Sequence, residues 1–124
     1  MAKKILFVDD EDDIRKIVTL RLKKVGYEVI TAVNGQEGVE AAKQHKPDLV
    51  ILDYRMPVMD GVEACKLITQ DPGTKDIPVL FMTANSASMT LETIMGSGAS
   101  DFISKPFEAE QLMKKVHAAL GDKP

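Results

Sequence analysis

Leu49-Val50-Ile51-Leu52-Asp53 is an unbroken apolar run closed by one carboxylate. Consecutive aliphatic residues without polar alternation fit a strand covered on both faces, as in the centre of a parallel sheet. Ile5-Leu6-Phe7-Val8 repeats the pattern, and its closing residues are Asp9-Asp10-Glu11-Asp12-Asp13. Near the end of the chain, the short run Asp101-Phe102-Ile103 leads into Lys105-Pro106. Charge therefore gathers where strand-like segments stop. In an open parallel α/β sheet the carboxyl ends of the strands form the ligand crevice. Such a sheet brings the acid pair, the lone acid and the lysine to one edge.

Between and around these runs, strand and helix patterns alternate five times. The first strand, 5–8, precedes a helix over 12–25 with Ile14, Ile17, Val18, Leu22 and Val25 at helical spacing and Gly26 at its C-terminal cap. Val29 to Ala32 forms the second strand, and a helix from about Gln36 to about His45 ends before Pro47. The third strand, 49–52, leads to a helix from about Val62 to Gln70, closed by Asp71-Pro72-Gly73. Pro78 to Met82 reads as the fourth strand, with proline tolerated at its start. A weaker helix over 88–96, a fifth strand over 101–103 and a helix from Glu108 to Leu120 complete the chain. Leu112, Met113, Val116 and Leu120 are expected to face inward. Five such alternations predict one doubly wound (βα)5 domain over 1–124, flavodoxin-like, with a parallel sheet of order 2-1-3-4-5. That order sets strands one and three side by side, where Asp9, Asp10 and Asp53 meet.

Composition narrows the function classes. A chain of 124 residues has room for one domain with a self-sufficient core. Net charge −3 argues against direct nucleic-acid binding, which needs a positive footprint. Met1-Ala2-Lys3-Lys4 runs directly into a short strand rather than a signal sequence. No apolar stretch approaches the ~20 residues that span a bilayer. The expectation is a cytoplasmic domain without membrane insertion. One cysteine, Cys65, excludes an intrachain disulfide and a cysteine-based zinc cluster, and its spacing from Val62 and Ile68 puts it on a buried stripe. His45 and His117 fit helix surfaces, Met89 and Met95 fit packing positions, and Gly96-Ser97-Gly98 reads as a helix end.

Glu11, Asp12 and Asp13 are accounted for by the favourable interaction of acids with a helix N-terminus. Asp9 and Asp10 are not, because they follow Val8 directly and are expected to sit partly buried. Adjacent buried carboxylates repel unless a proton or cation intervenes. With Asp53 beside them, the hard oxygen ligands suit Mg²⁺, which prefers sites completed by phosphate oxygens. Lys105 is aimed at the same edge, where its ammonium can hold an acid or a phosphoryl oxygen. Lys105-Pro106 is a candidate cis peptide. Thr83 closes the fourth strand and offers a hydroxyl to a ligand oxygen.

Together, Phe7-Val8-Asp9-Asp10-Glu11, the run from Leu52 to Gly61, Met82-Thr83-Ala84 and the run from Asp101 to Phe107 make a specific set. With these motifs the chain resembles, over nearly its whole length, the receiver domain of two-component response regulators. The likeness is greatest to stand-alone receivers of the chemotaxis-regulator type; a piece excised from a longer regulator is the second reading. The resemblance implies a phosphoprotein of phosphorelay signalling rather than an enzyme with an external substrate. Asp53 would accept a phosphoryl group from a phosphohistidine of a sensor kinase or phosphotransfer protein, and the domain would catalyse its own phosphorylation and dephosphorylation. Asp10, Asp53 and the backbone carbonyl of Arg55 would hold Mg²⁺, with Asp9 assisting. Lys105 would contact the phosphoryl oxygens. Thr83 and Phe102 would form the switch that alters the face read by a downstream protein effector.

Two rival classes use the same residues. A Mg²⁺-dependent aspartyl phosphohydrolase pairs its nucleophile with a second acid two residues on, in the loop after the first strand, whereas Asp9 and Asp10 are adjacent. A receiver-like interaction module without phosphorylation would not need the set Asp9, Asp10, Asp53, Thr83 and Lys105.

Overall fold

Every strand pairing among the described residues is parallel. The computed structural model describes residues 3–53, 59–83, 88–104 and 107–121, without the side chains of 88–91. Five strands, β1 (Lys4–Val8), β2 (Glu28–Ala32), β3 (Leu49–Asp53), β4 (Val79–Thr83) and β5 (Asp101–Ser104), lie in the order β2-β1-β3-β4-β5. The helices are α1 (Asp12–Val25), α2 (Gly35–His45), α3 (Gly61–Gln70), α4 (Ser88–Gly96) and α5 (Ala109–Leu120). The expected doubly wound topology is the one observed.

Period-two alternation sorts the strand residues between two cores. Leu6, Val8, Val50, Leu52, Val79 and Phe81 pack with Val39 and Ala42 of α2, Ala64, Cys65 and Ile68 of α3, and Ile94 of α4. Ile5, Phe7, Leu49, Ile51, Leu80 and Met82 pack with Val18 and Leu22 of α1 and Leu112 and Val116 of α5. Both faces of β1, β3 and β4 are thus covered, which is why their sequences lack alternation. Each fully buried Leu, Ile or Phe contributes about 1.5–3 kcal/mol relative to exposure.

Several boundaries differ from the sequence reading. Pro78 stands outside β4 because it has no N–H to donate, although its carbonyl accepts from Val50 N at 3.0 Å. The strand instead continues through Thr83, whose partner is Ser104. Glu108 lies outside α5 as its N-cap, in a reciprocal capping arrangement with Gln111. Helix α2 ends at His45, and Lys46 closes it in a left-handed conformation at φ 46°.

The inward stripes are narrower than expected. On α1, Ile17 is 57% and Val25 49% exposed, while Val18 and Leu22 are buried. A helix crossing a sheet buries one line of side chains, and Ile17 and Val25 flank that line. Met95 is 45% exposed and is therefore not a packing residue; the side chain of Met89 lies outside the described residues. His117 is half-buried rather than a surface residue: its Nδ1 lies 3.0 Å from the Tyr27 hydroxyl.

Cys65 behaves as expected of the buried stripe. Burial pushes its thiol up from the ordinary value of 9.0, and a hydrogen bond with Ser97 offsets part of the rise. The folded chain therefore keeps a proton that the unfolded chain loses at alkaline pH. This contribution to stability is fully present below pH 9.0 and is lost as pH rises towards the higher folded value. Urea denaturation across pH should show a steeper alkaline decline for the wild type than for Cys65→Ala. Ellman's reagent should modify the native thiol far more slowly than the unfolded one. Parallel alkaline profiles, or rapid native labelling, would contradict a buried protonated thiol.

Candidate functional site

Register delivers the acidic residues to one edge. Val8 pairs with Leu52, so Asp9 and Asp53 come next at the same level on adjacent strands. Asp53 pairs in turn with Met82, and Thr83 lies one residue later. The Asp9 amide still donates to Ala32 O at 3.1 Å, which extends the ladder one residue past β1. Asp9, Asp53 and Thr83 are buried, at 0%, 6% and 1% exposure, whereas Asp10 and Glu11 are exposed. The site is thus a buried floor with a solvent-facing rim.

Asp9, Asp10, Glu11 and Asp53 each present a carboxylate oxygen, and all four lie within 4.8 Å of one another. Like charges this close are tolerated only where solvent, protons or cations compensate them. The donor set is entirely hard oxygen, partly buried and open on one side, which fits Mg²⁺ with retained waters. Glu11 belongs to this cluster, although its position before α1 suggested an acid devoted to the helix end. It is the N-cap of α1, yet its side chain makes no capping hydrogen bond. A sequence signal was present: a third consecutive acid before the first helical turn cannot belong wholly to either strand or helix.

The turn that carries these acids is closely bonded. Asp9 Oδ1 accepts from Glu11 N at 2.8 Å, and Arg15 Nη1 donates to Asp9 O at 2.9 Å. Below Asp53, the start of α3 comes close. A methyl group on Gly61 would collide with the Asp53 carbonyl and stand 2.7 Å from the Phe81 ring. Only glycine permits that approach, so the entry to α3 helps fix the end of β3. Asp60 caps the same helix through Glu63 N at 2.9 Å.

Phe102 is half-buried on β5, opposite Phe81 in register. Its amide donates to Asp101 Oδ1 at 2.8 Å, and Lys115 Nζ stands 5.7 Å from its ring centroid. Lys115 also pairs with Asp101 Oδ2 at 2.9 Å. A cavity of about 540 Å³ lies between β5 and α5 beside these residues. Arg55, Lys105 and Pro106 lie outside the described residues, as does the candidate cis peptide.

The protein-family model described as "Response regulator receiver domain" matches residues 5–117. The chain is 38% identical over 120 residues to the alkaline phosphatase synthesis transcriptional regulatory protein PhoP of Bacillus subtilis, covering 97% of this chain and 49% of that protein. It is 38% identical over 117 residues to the DNA-binding dual master transcriptional regulator RpaA of Synechocystis, covering 94% and 48%. The chain thus spans about half the length of these curated relatives. Chemotaxis response regulator CheY4 of Vibrio cholerae superposes with a TM-score of 0.92 at 34% identity, covering 97% of this chain and all of that one. The receiver domain of sensor histidine kinase PA1611 of Pseudomonas aeruginosa superposes with a TM-score of 0.91 at 26% identity, covering 98% and 100%. That structure is described with a magnesium ion coordinated in its active site cleft.

Crowded carboxylates destabilise the fold that holds them. Asp10→Asn removes one charge from the group of four, and it should raise the thermal midpoint in the presence of a chelator. Magnesium should then raise the wild-type midpoint more than that of the variant, narrowing the gap. Differential scanning calorimetry reads both effects. A variant that melts lower than wild type in chelator would mean that the cluster is not under repulsion.

Proposed function

The chain belongs to the response regulator receiver family of two-component signalling, and from that premise we propose that Asp53 is the phosphoacceptor of a phosphorylation-dependent switch. One observation carries the reading: parallel register holds Asp53 beside Asp9, Asp10 and Glu11, with their oxygens within 4.8 Å. A lone carboxylate at a strand end is an ordinary turn residue. A carboxylate among three others is a site for a cation and for the phosphoryl group that completes the cation's coordination.

The donor is a phosphohistidine of a sensor kinase or phosphotransfer protein. An Asp53 carboxylate oxygen attacks phosphorus, a P–O bond forms, the P–N bond breaks, and the imidazole leaves. Asp9, Asp10 and Asp53 would hold Mg²⁺, with Glu11 at the rim and the Arg55 carbonyl as a further ligand. The ion would supply positive charge that offsets the oxygens of the transferring group. Lys105 supplies a second positive charge to those oxygens. Water at the same rim later hydrolyses the acyl phosphate, which makes the domain its own phosphatase. The domain acts as a signalling switch.

Thr83 and Phe102 carry the signal outward. A phosphoryl group on Asp53 attracts the Thr83 hydroxyl, one strand away and buried. Rotation of Thr83 leaves space that the half-buried Phe102 can enter, which alters the surface along β5 and α5. A downstream protein effector reads that surface. Net charge −3 favours a protein over DNA as the direct partner of this chain. No helix among the described residues is long and apolar enough to cross a membrane.

The phosphohydrolase alternative is the less favoured, because the receiver-domain family model matches residues 5–117, nearly the whole chain. Incubation with a small phosphodonor and Mg²⁺, followed by intact mass, should show one added phosphoryl group per chain. Asp53→Asn should abolish it, a loss of at least roughly a hundredfold in labelling rate, or about 2.7 kcal/mol in barrier. Undiminished labelling of that variant would place the acceptor elsewhere, and continuous turnover of the donor without a stable adduct would favour the hydrolase.

A further inference from the structure

The acids of the pocket do not hold their own positions. Asp9, Asp10 and Glu11 occupy the three-residue passage from β1 to α1, and Arg15 closes that passage at both ends. Its backbone N–H donates to Glu11 O at 3.0 Å, which starts the helix. Its guanidinium returns through Nη1 to the Asp9 carbonyl at 2.9 Å. That carbonyl ends β1, where the chain leaves the sheet. The other arm of the fork, Nη2, pairs with Asp12 Oδ1. The Arg15 side chain is 18% exposed and Asp12 77%, so the bond to the backbone is the sheltered arm and the ion pair the solvated one.

These contacts divide the run of five acids into two sets. Asp12 is drawn to the guanidinium and stays out of the group of four. Glu11 spends no side-chain oxygen on capping α1 and reaches the pocket instead. Asp9 is held by its amide on Ala32 O, by its carbonyl on Arg15 and by its Oδ1 on Glu11 N.

We propose that Arg15 is a positioning residue that sets the cation affinity of the pocket by clamping the β1–α1 passage. This rests on the reading of the acidic group as a divalent-cation site. Mutual repulsion of the carboxylates tends to spread the passage. A clamp that opposes the spreading removes reorganisation that binding would otherwise have to supply. The fork geometry matters, because one planar group must reach a backbone carbonyl and a carboxylate together. A lysine, a single flexible point charge, cannot span both. The guanidinium is also a cation near a cation site, and as charge alone it would oppose metal binding. The two effects have opposite signs, so substitution distinguishes them.

Magnesium titration by isothermal calorimetry on the whole chain, with circular dichroism to verify the fold of each variant, provides the test. Arg15→Lys keeps the charge and loses the fork; Arg15→Met loses both. Both should weaken magnesium binding about tenfold, the lower end of what removing a group that orients metal ligands costs. Asp12→Asn, which breaks only the solvated arm, should bind within about twofold of wild type. Wild-type affinity in Arg15→Lys, with tighter binding in Arg15→Met, would mean that Arg15 acts only as charge, and would overturn the proposal. Unchanged affinity in both would overturn it too. If Asp10→Ala bound magnesium as well as wild type, the cation reading itself would fail and the role of Arg15 with it. Loss in Asp10→Ala beside no loss in Arg15→Lys would sink only the Arg15 assignment.

Discussion

Parallel pairing of β1 with β3 is the constraint on which the rest of the molecule depends. Parallel neighbours end on the same edge, so the residues after Val8 and after Leu52 must share one small volume. In this chain those residues carry charge of one sign. The cores on the two faces supply the free energy that holds it there. Leu6, Val8, Val50 and Leu52 point one way, and Ile5, Phe7, Leu49 and Ile51 the other, all fully buried. Without helices on both sides of the sheet, the acids would drift apart into solvent.

The site is therefore a region where stability is given up locally and recovered elsewhere. Four carboxylate oxygens within 4.8 Å oppose the compact state. Backbone bonds around them resist that tendency: Asp9 N to Ala32 O, Glu11 N to Asp9 Oδ1, and Arg15 Nη1 to Asp9 O. Gly61 lets α3 approach the end of β3 closely enough to fix it from below. Electrostatic strain held in this way suits a pocket that takes up a cation, because the cation relieves repulsion already present.

At the far edge of the sheet the design changes. β5 has a neighbour on one side only, and Phe102 there is half-buried. Phe102 packs partly against the core, and on its open side it meets Lys115, whose contact with the ring and pairing with Asp101 are both of modest energy. The closely bonded acid turn at the centre of the sheet and the half-buried aromatic on its edge strand thus stand in different surroundings.

The sequence alone determined the order of elements, because apolar runs of four residues and helical spacings of three and four are local signals. It also determined the identity of the central acids, since Asp9, Asp10 and Asp53 each end such a run. Element limits shifted where a missing N–H at Pro78 bounded a strand or a cap at Glu108 began a helix, and those are matters of backbone bonding. Tertiary structure alone decided which apolar residues of α1 are covered. Ile17 and Val18 are adjacent and both aliphatic, yet one is 57% exposed and the other 3%, because a sheet covers a single line along a helix. It alone brought Glu11 into the pocket and sent Asp12 to Arg15, although both are acids beside the same helix terminus. Spacing along a chain cannot separate such neighbours. Their roles diverge only when the backbone turns between strand and helix and aims successive side chains at different surroundings.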